Sequence, residues 1–153
     1  MRYREIISES VSGVFYHGTN QTFDRFEKRQ GTVASIFGSE KVDRYGFFFT
    51  KNPEFAKLFG KNLLKVHLTI RKPFDMRHGI SVQMENELSE HGISFKWLLQ
   101  GDDWEKFDGE DGEHFVSTLI SLGYDGAIIN EPDDDGIMQT SIIAFGPDQI
   151  RIL

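Results

Sequence analysis

Cysteine is absent from this 153-residue chain. Its absence excludes disulfides, a thiol nucleophile and a zinc–thiolate site. No apolar run reaches the roughly 20 residues that span a bilayer. The opening Met1-Arg2-Tyr3-Arg4-Glu5 lacks the apolar region of a signal peptide, so a cytoplasmic protein with no membrane partner is expected. Basic residues are in the minority, 17 against 24 acidic, for a formal net charge of −7. A nucleic-acid binder carries a basic patch. The nearest cluster here, Arg25, Lys28 and Arg29, is interrupted by Asp24 and Glu27, so nucleic acid is not an expected partner. Metal-ligand patterns are missing too. His67, His78, His91 and His114 are widely spread. The Asp133-Asp134-Asp135 run is too short for a calcium loop. No Gly-Lys-Ser/Thr accompanies Gly31 or Gly38 to make a phosphate loop. Repeats, low-complexity tracts and linkers are also lacking. The length fits one domain over residues 1–153 with chain enough for a core.

Aromatic residues are plentiful, 13% of the chain with Phe accounting for 14 positions. Such density serves a core, and equally a pocket for a flat ring. Val14 to His17 is a short β-type run that ends in the turn Gly18-Thr19-Asn20. Phe23 and Phe26 can share one apolar surface. Gln30 to Arg44 has little periodicity and reads as a loop. Tyr45 to Thr50 is a second β-type run, almost wholly aromatic. Asn52 and Pro53 then suit the cap and first position of a helix, with Phe55, Leu58 and Phe59 as its apolar face. Leu64, Val66, Leu68 and Ile70 alternate with polar residues, the period of a half-buried strand. Residues 80 to 122 read as mainly helical, with Ser81 and Ser94 as caps and Gly123 as a stop. Ala127 to Asn130, Ile137 to Phe145 and Gln149 to Leu153 return to strand, around a turn at Pro132 to Gly136. Strands at both ends with helices between them indicate an α+β domain.

Four short motifs stand in order: Phe15-Tyr16-His17-Gly18-Thr19, Gly46-Phe47-Phe48-Phe49-Thr50, Gly123-Tyr124-Asp125-Gly126 and Phe145-Gly146-Pro147-Asp148-Gln149-Ile150. Together they resemble the ADP-ribosyltransferases of the diphtheria-toxin and poly(ADP-ribose)-polymerase branch. Within it, the resemblance is closest to the phage polyvalent-protein type. It covers the chain nearly end to end. It implies a split pair of small antiparallel β-sheets with flanking helices, an NAD substrate and a protein acceptor. Phage or bacterial origin and modification of a host component follow from the same analogy.

The resemblance also implies site roles. His17 would hydrogen-bond the adenine-side ribose of NAD, and Gly18 would offer its backbone N–H and C=O to the nicotinamide amide. Thr19 belongs with these NAD-binding residues. Phe48 stands where the family has Tyr and would stack on the pyridinium, with Phe59 on the other side of the ring. The third motif departs from the pattern: Ser141 stands where the family's catalytic Glu is usual. A carboxylate there stabilises the oxocarbenium-like state of nicotinamide–ribose cleavage. Three readings follow: an inactive site, a substitute carboxylate, or Ser141 itself in the role. Glu131 is the best substitute. Gln139, two residues before Ser141, lies where some relatives set acceptor choice. Taken singly, His17 reads as a turn histidine, Phe59 as core and Glu131 as an exposed turn acid. The resulting expectation is a mono-ADP-ribosyltransferase that needs no metal. The alternatives are an NAD glycohydrolase or a disabled domain that binds NAD or a protein.

Overall fold

A computed structural model describes residues 10–20, 26, 32–34 and 41–153. The basic cluster around Arg25, and with it Phe23, Gly31 and Gly38, lies outside the described residues. The first strand, β1 (Val11–Thr19), is longer than its apolar kernel suggested because it pairs along its whole length with β5 (Asn62–Ile70). β9 (Ile150–Ile152) adds to the far side of β5, giving an antiparallel sheet of order β1-β5-β9. Residues read as loop contribute two short paired strands, β2 (Thr32–Ala34) and β3 (Lys41–Asp43).

The second sheet has the order β4-β8-β7-β6, built from β4 (Phe47–Phe49), β6 (Pro73–Asp75), β7 (Gly126–Pro132) and β8 (Met138–Ala144). All its pairs are antiparallel except β6 with β7. The expected α+β architecture with two small, mostly antiparallel sheets is the one observed. β6 has no periodic signal because it holds three residues.

Helix starts follow the caps read from the sequence. Asn52 accepts from the N–H groups of Glu54 and Phe55 ahead of α1 (Pro53–Ala56). Ser81 accepts from Met84 N–H at the start of α2 (Val82–Glu90), and Ser94 from Trp97 N–H at α3 (Phe95–Leu99). α4 (Gly109–Ser121) is followed by Gly123 at φ +96°, a conformation that favours glycine. The apolar face expected on the helix after Asn52 is not buried throughout. α1 makes one turn and tightens to a 3-10 turn (Lys57–Phe59), so Phe55 is buried while Leu58 and Phe59 stay 46% and 48% exposed. That corrects the bland reading of Phe59 as core.

The four-stranded sheet buries both faces. Phe47, Phe49, Ile128, Ile142 and Ala144 meet Phe15, Val66, Leu68 and Ile70 from the other sheet. On its opposite face Phe74, Ala127, Ile129 and Ile143 pack on Leu88, Phe107, Phe115 and Leu119 from the helical layer. Double burial explains why Ala127-Ile128-Ile129 reads as a continuous apolar run and not as an alternation. Each fully buried Leu or Ile contributes about 2 kcal/mol relative to exposure.

Candidate active site

β1 and β4 belong to different sheets, and one isolated backbone bridge joins β1 to Thr50, just past the end of β4. Tyr16 N–H donates to Thr50 C=O at 2.8 Å, and Thr50 N–H donates back to Tyr16 C=O at 3.0 Å. Beyond that rung His17 spans from β1 to β4: its Nδ1 lies 2.7 Å from the carbonyl oxygen of Phe48. A carbonyl only accepts, so Nδ1 carries the proton in the neutral ring. The imidazole also sits edge-on to Phe26 at 5.1 Å and tilted against Phe49 at 5.4 Å. Burial pushes its pKa down, against the upward pull of the Phe48 carbonyl.

Gly18 follows two residues after Tyr16. With the strand period of two, its N–H and C=O point to the same side as those of Tyr16, away from β5. Its missing side chain is a steric necessity. A Cβ there would lie 1.8 Å from the carbonyl oxygen of Ala56, so α1 can approach β1 only at glycine. Thr19 closes β1 opposite Asn62. Phe59 stands edge-on to Phe55 at 5.2 Å, and its Cβ would be 3.5 Å from a Cβ at position 18.

Phe48 alternates to the face opposite Phe47 and Phe49. It pairs with Ile143 and meets Phe107 edge-on at 5.8 Å. Ser141 is two residues from Ile143 and faces the same way. Glu131 faces it diagonally from the neighbouring strand, since Ile129 pairs with Ser141 and Glu131 with Gln139. The Ser141 hydroxyl donates to Glu131 Oε2 at 2.5 Å. Both are buried, at 2% and 4% exposure. The reading of Glu131 as an exposed acid past the end of its strand is therefore overturned. β7 continues through Pro132 because its ladder with β8 runs on to Met138, and this draws Glu131 inside.

Burial raises the Glu131 pKa. The Ser141 hydrogen bond and the charge of Arg44 pull it down, while Asp102 and Asp103 push it up. Asp103 is itself raised by burial and accepts from Asn130 N–H at 3.4 Å. Gln139 is fixed at both ends: Nε2 donates to Asp133 Oδ2 at 3.1 Å and Oε1 accepts from Asn52 Nδ2 at 3.3 Å. It also lines a groove of about 610 Å³ with Thr50, Lys51, Asn52, Arg77 and Thr140. His17, Gly18 and Phe48 do not line that groove.

Thus Ser141 and Glu131 are brought together, and Gly18 and Phe48 flank the parting of β1 and β4. His17 joins them through the Phe48 backbone, while its ring rests on the Phe49 side. Sequence reading missed Arg44, which lies over the Phe48 ring, and Trp104 and Asp108, which Arg44 also contacts. Their signal was faint: one Arg at the end of an aperiodic stretch, and one Trp in a short acidic turn. Among the described residues no group of three or more His, Asp or Glu is placed to hold a metal ion, and no helix is long and apolar enough to cross a membrane.

Two small, mostly antiparallel sheets with flanking helices are consistent with an ADP-ribosyltransferase-like fold. The chain belongs to the family described as ADP-ribosyltransferase in polyvalent proteins, which matches residues 12–152 and uses NAD as its substrate. Among solved structures it is similar to a crystal structure of an anti-CRISPR protein, with a TM-score of 0.50 over 95% of this chain and 97% of that one. At 16% identity the likeness concerns the fold alone. No curated protein matches the chain.

Proposed function

We infer that the chain transfers ADP-ribose from NAD to a protein acceptor, with Glu131 supplying the carboxylate that the third motif lacks. The observation that carries this reading is the 2.5 Å hydrogen bond between Ser141 and Glu131. It brings a β7 carboxylate against Ser141, the residue that the resemblance sets in place of the family's Glu.

NAD fits the residues present. The outward N–H and C=O of Gly18 would match the acceptor and donor of the nicotinamide amide, and the Phe48 ring, over which Arg44 lies, is the aromatic face assigned to the pyridinium. The ribose C1′–N bond breaks with its electron pair leaving on nicotinamide, and the positive charge spreads over C1′ and the ring oxygen. A carboxylate in a partly desolvated site stabilises that charge more than it would in water. The acceptor's nucleophile then attacks C1′, forming the new bond and releasing its proton to solvent. The His17 imidazole, neutral because burial disfavours its charge, holds the strand edge beside Gly18 and is assigned to the adenine-side ribose. Thr19 and Phe59 complete the substrate contacts. Gln139, fixed between Asn52 and Asp133 at the groove wall, is assigned to the acceptor side. One transfer per site is favoured over polymer growth. Modification of a host component rests on the analogy with phage relatives.

A second reading, a domain that binds NAD without turnover, is favoured by the burial of Glu131. The experiment that separates them is incubation with NAD, alone and with a cell lysate, using the parent chain, Glu131→Gln and His17→Ala. Transfer to a lysate protein that Glu131→Gln abolishes supports the transferase. Nicotinamide release without transfer supports a glycohydrolase. NAD binding with no release supports the binding domain.

A further inference from the structure

Phe48 already carries a cation. The Cζ of Arg44 lies over its ring, 4.7 Å from the centroid, and 5.5 Å from the ring centre of Trp104. The guanidinium is anchored: Nε donates to Asp108 Oδ1 at 2.9 Å and Nη2 to Oδ2 at 3.3 Å. Backbone contacts hold the same place, with an antiparallel bridge between Arg44 and Asp108 and Tyr45 N–H donating to Phe107 C=O at 2.8 Å. The Arg44 and Asp108 side chains are 18% and 15% exposed, so the ion pair is largely sheltered from water.

A guanidinium is planar, permanently charged, weakly hydrated and prone to lie on aromatic faces. An N-alkylated pyridinium is likewise flat and cationic. Two such ions do not share one ring face. Arg44 also acts on Glu131, whose charged form it favours. Both groups assigned to the reacting end of NAD therefore already feel a positive group that belongs to the chain.

We propose that Arg44, held by Asp108 against Phe48 and Trp104, occupies the place of the substrate's pyridinium and is a latch that the substrate displaces. This rests on the transferase reading for the identity of the natural ligand, but the latch itself concerns any flat organic cation. Displacement needs only a side-chain rotation, because the backbone of residues 44 and 45 is held independently of the guanidinium. Trp104, and not only Phe59, is then a second aromatic wall for the incoming ring.

The test is calorimetric titration of the full chain with 1-methylnicotinamide, and separately with NAD. Arg44→Met keeps the stem and removes the cation; Asp108→Asn loosens the anchor. Thermal melts confirm folding of each variant. Arg44→Met is expected to bind 1-methylnicotinamide roughly tenfold tighter than the parent, the scale of one sheltered cation–ring contact. Asp108→Asn is expected to bind it a fewfold tighter. Equal or weaker binding by Arg44→Met overturns the latch, as does no binding by either chain. Tighter 1-methylnicotinamide binding without nicotinamide release from NAD keeps the latch and removes the transferase. Release from NAD with the same KM in parent and Arg44→Met keeps the transferase and removes the latch.

Discussion

The side-chain amide of Gln149 donates to Asp125 twice, to the main-chain carbonyl at 2.9 Å and to the carboxylate at 3.3 Å. Asp125 also accepts from the N–H groups of Arg71 and Lys72, at 2.9 and 2.7 Å. Two of the four sequence motifs thus meet in one hydrogen-bonded junction where β5 gives way to β6. Their work is to join the sheets. Asp125→Ala is expected to lower the unfolding free energy by about 2 kcal/mol and Gln149→Ala by about 1 kcal/mol. In denaturant titrations the double variant should lose less than the sum, since the two share a bond. Full additivity would show that the junction is not a unit.

Glu131 is expected to matter far more for activity than for stability. Glu131→Gln preserves an acceptor for the Ser141 hydroxyl and removes a buried charge. Nicotinamide release should fall at least about 100-fold, the scale of a lost transition-state electrostatic contact, while stability shifts by less than about 1 kcal/mol. A fall in stability that matched the fall in activity would make Glu131 a structural residue.

Ser141 tunes that carboxylate. Its hydroxyl stabilises the ionised form, so Ser141→Ala should move the Glu131 midpoint further above the ordinary glutamate value, as read by carbon-13 NMR of the carboxyl group. In the proposed mechanism transfer needs the ionised form, so the acid limb of the rate profile should begin at higher pH in Ser141→Ala. The rate at neutral pH should fall roughly tenfold, in line with one charge-assisted hydrogen bond. An unmoved midpoint would remove Ser141 from the site.

His17 and Glu131 oppose each other in stability against pH. Burial lowers the His17 pKa below its ordinary 6.5, so the unfolded chain binds more protons between the two values. Its contribution is therefore full above 6.5 and lost as pH falls through that window. Burial raises Glu131 above its ordinary 4.5, so there the folded chain binds more protons, and stability falls as pH rises from 4.5 to the raised value. His17→Gln should remove the first slope and Glu131→Gln the second, in urea midpoints measured from pH 4 to 8. Parallel curves for His17→Gln and the parent would place the imidazole in water.

Gly18→Ala should cost about 1 to 3 kcal/mol, because the added methyl meets the Ala56 carbonyl and forces α1 from β1. NAD binding, read by calorimetry, should weaken further than stability loss explains, since the strand edge moves with it.

The outer frame of this fold was legible because its signals are local. The alternation of Leu64 to Ile70 needs one wet and one dry face, and Asn52, Ser81 and Ser94 name helix starts by their own hydrogen bonds. The site was legible only in part. The position of Glu131 is set by the register of β7 on β8, and no window of sequence contains a register. Arg44 meets Asp108 across 64 residues, and nothing near either residue announces the other. The spacing of Phe55, Leu58 and Phe59 reads as one apolar helix face, and spacing does not say that a helix will tighten after one turn.

The diagonal across β7 and β8 makes residue number a poor guide to chemistry in this domain. Adjacent antiparallel strands put side chains ten residues apart within touching distance. An inventory taken column by column records no acid at the third motif of this chain. One taken in space finds Glu131 bonded to that position.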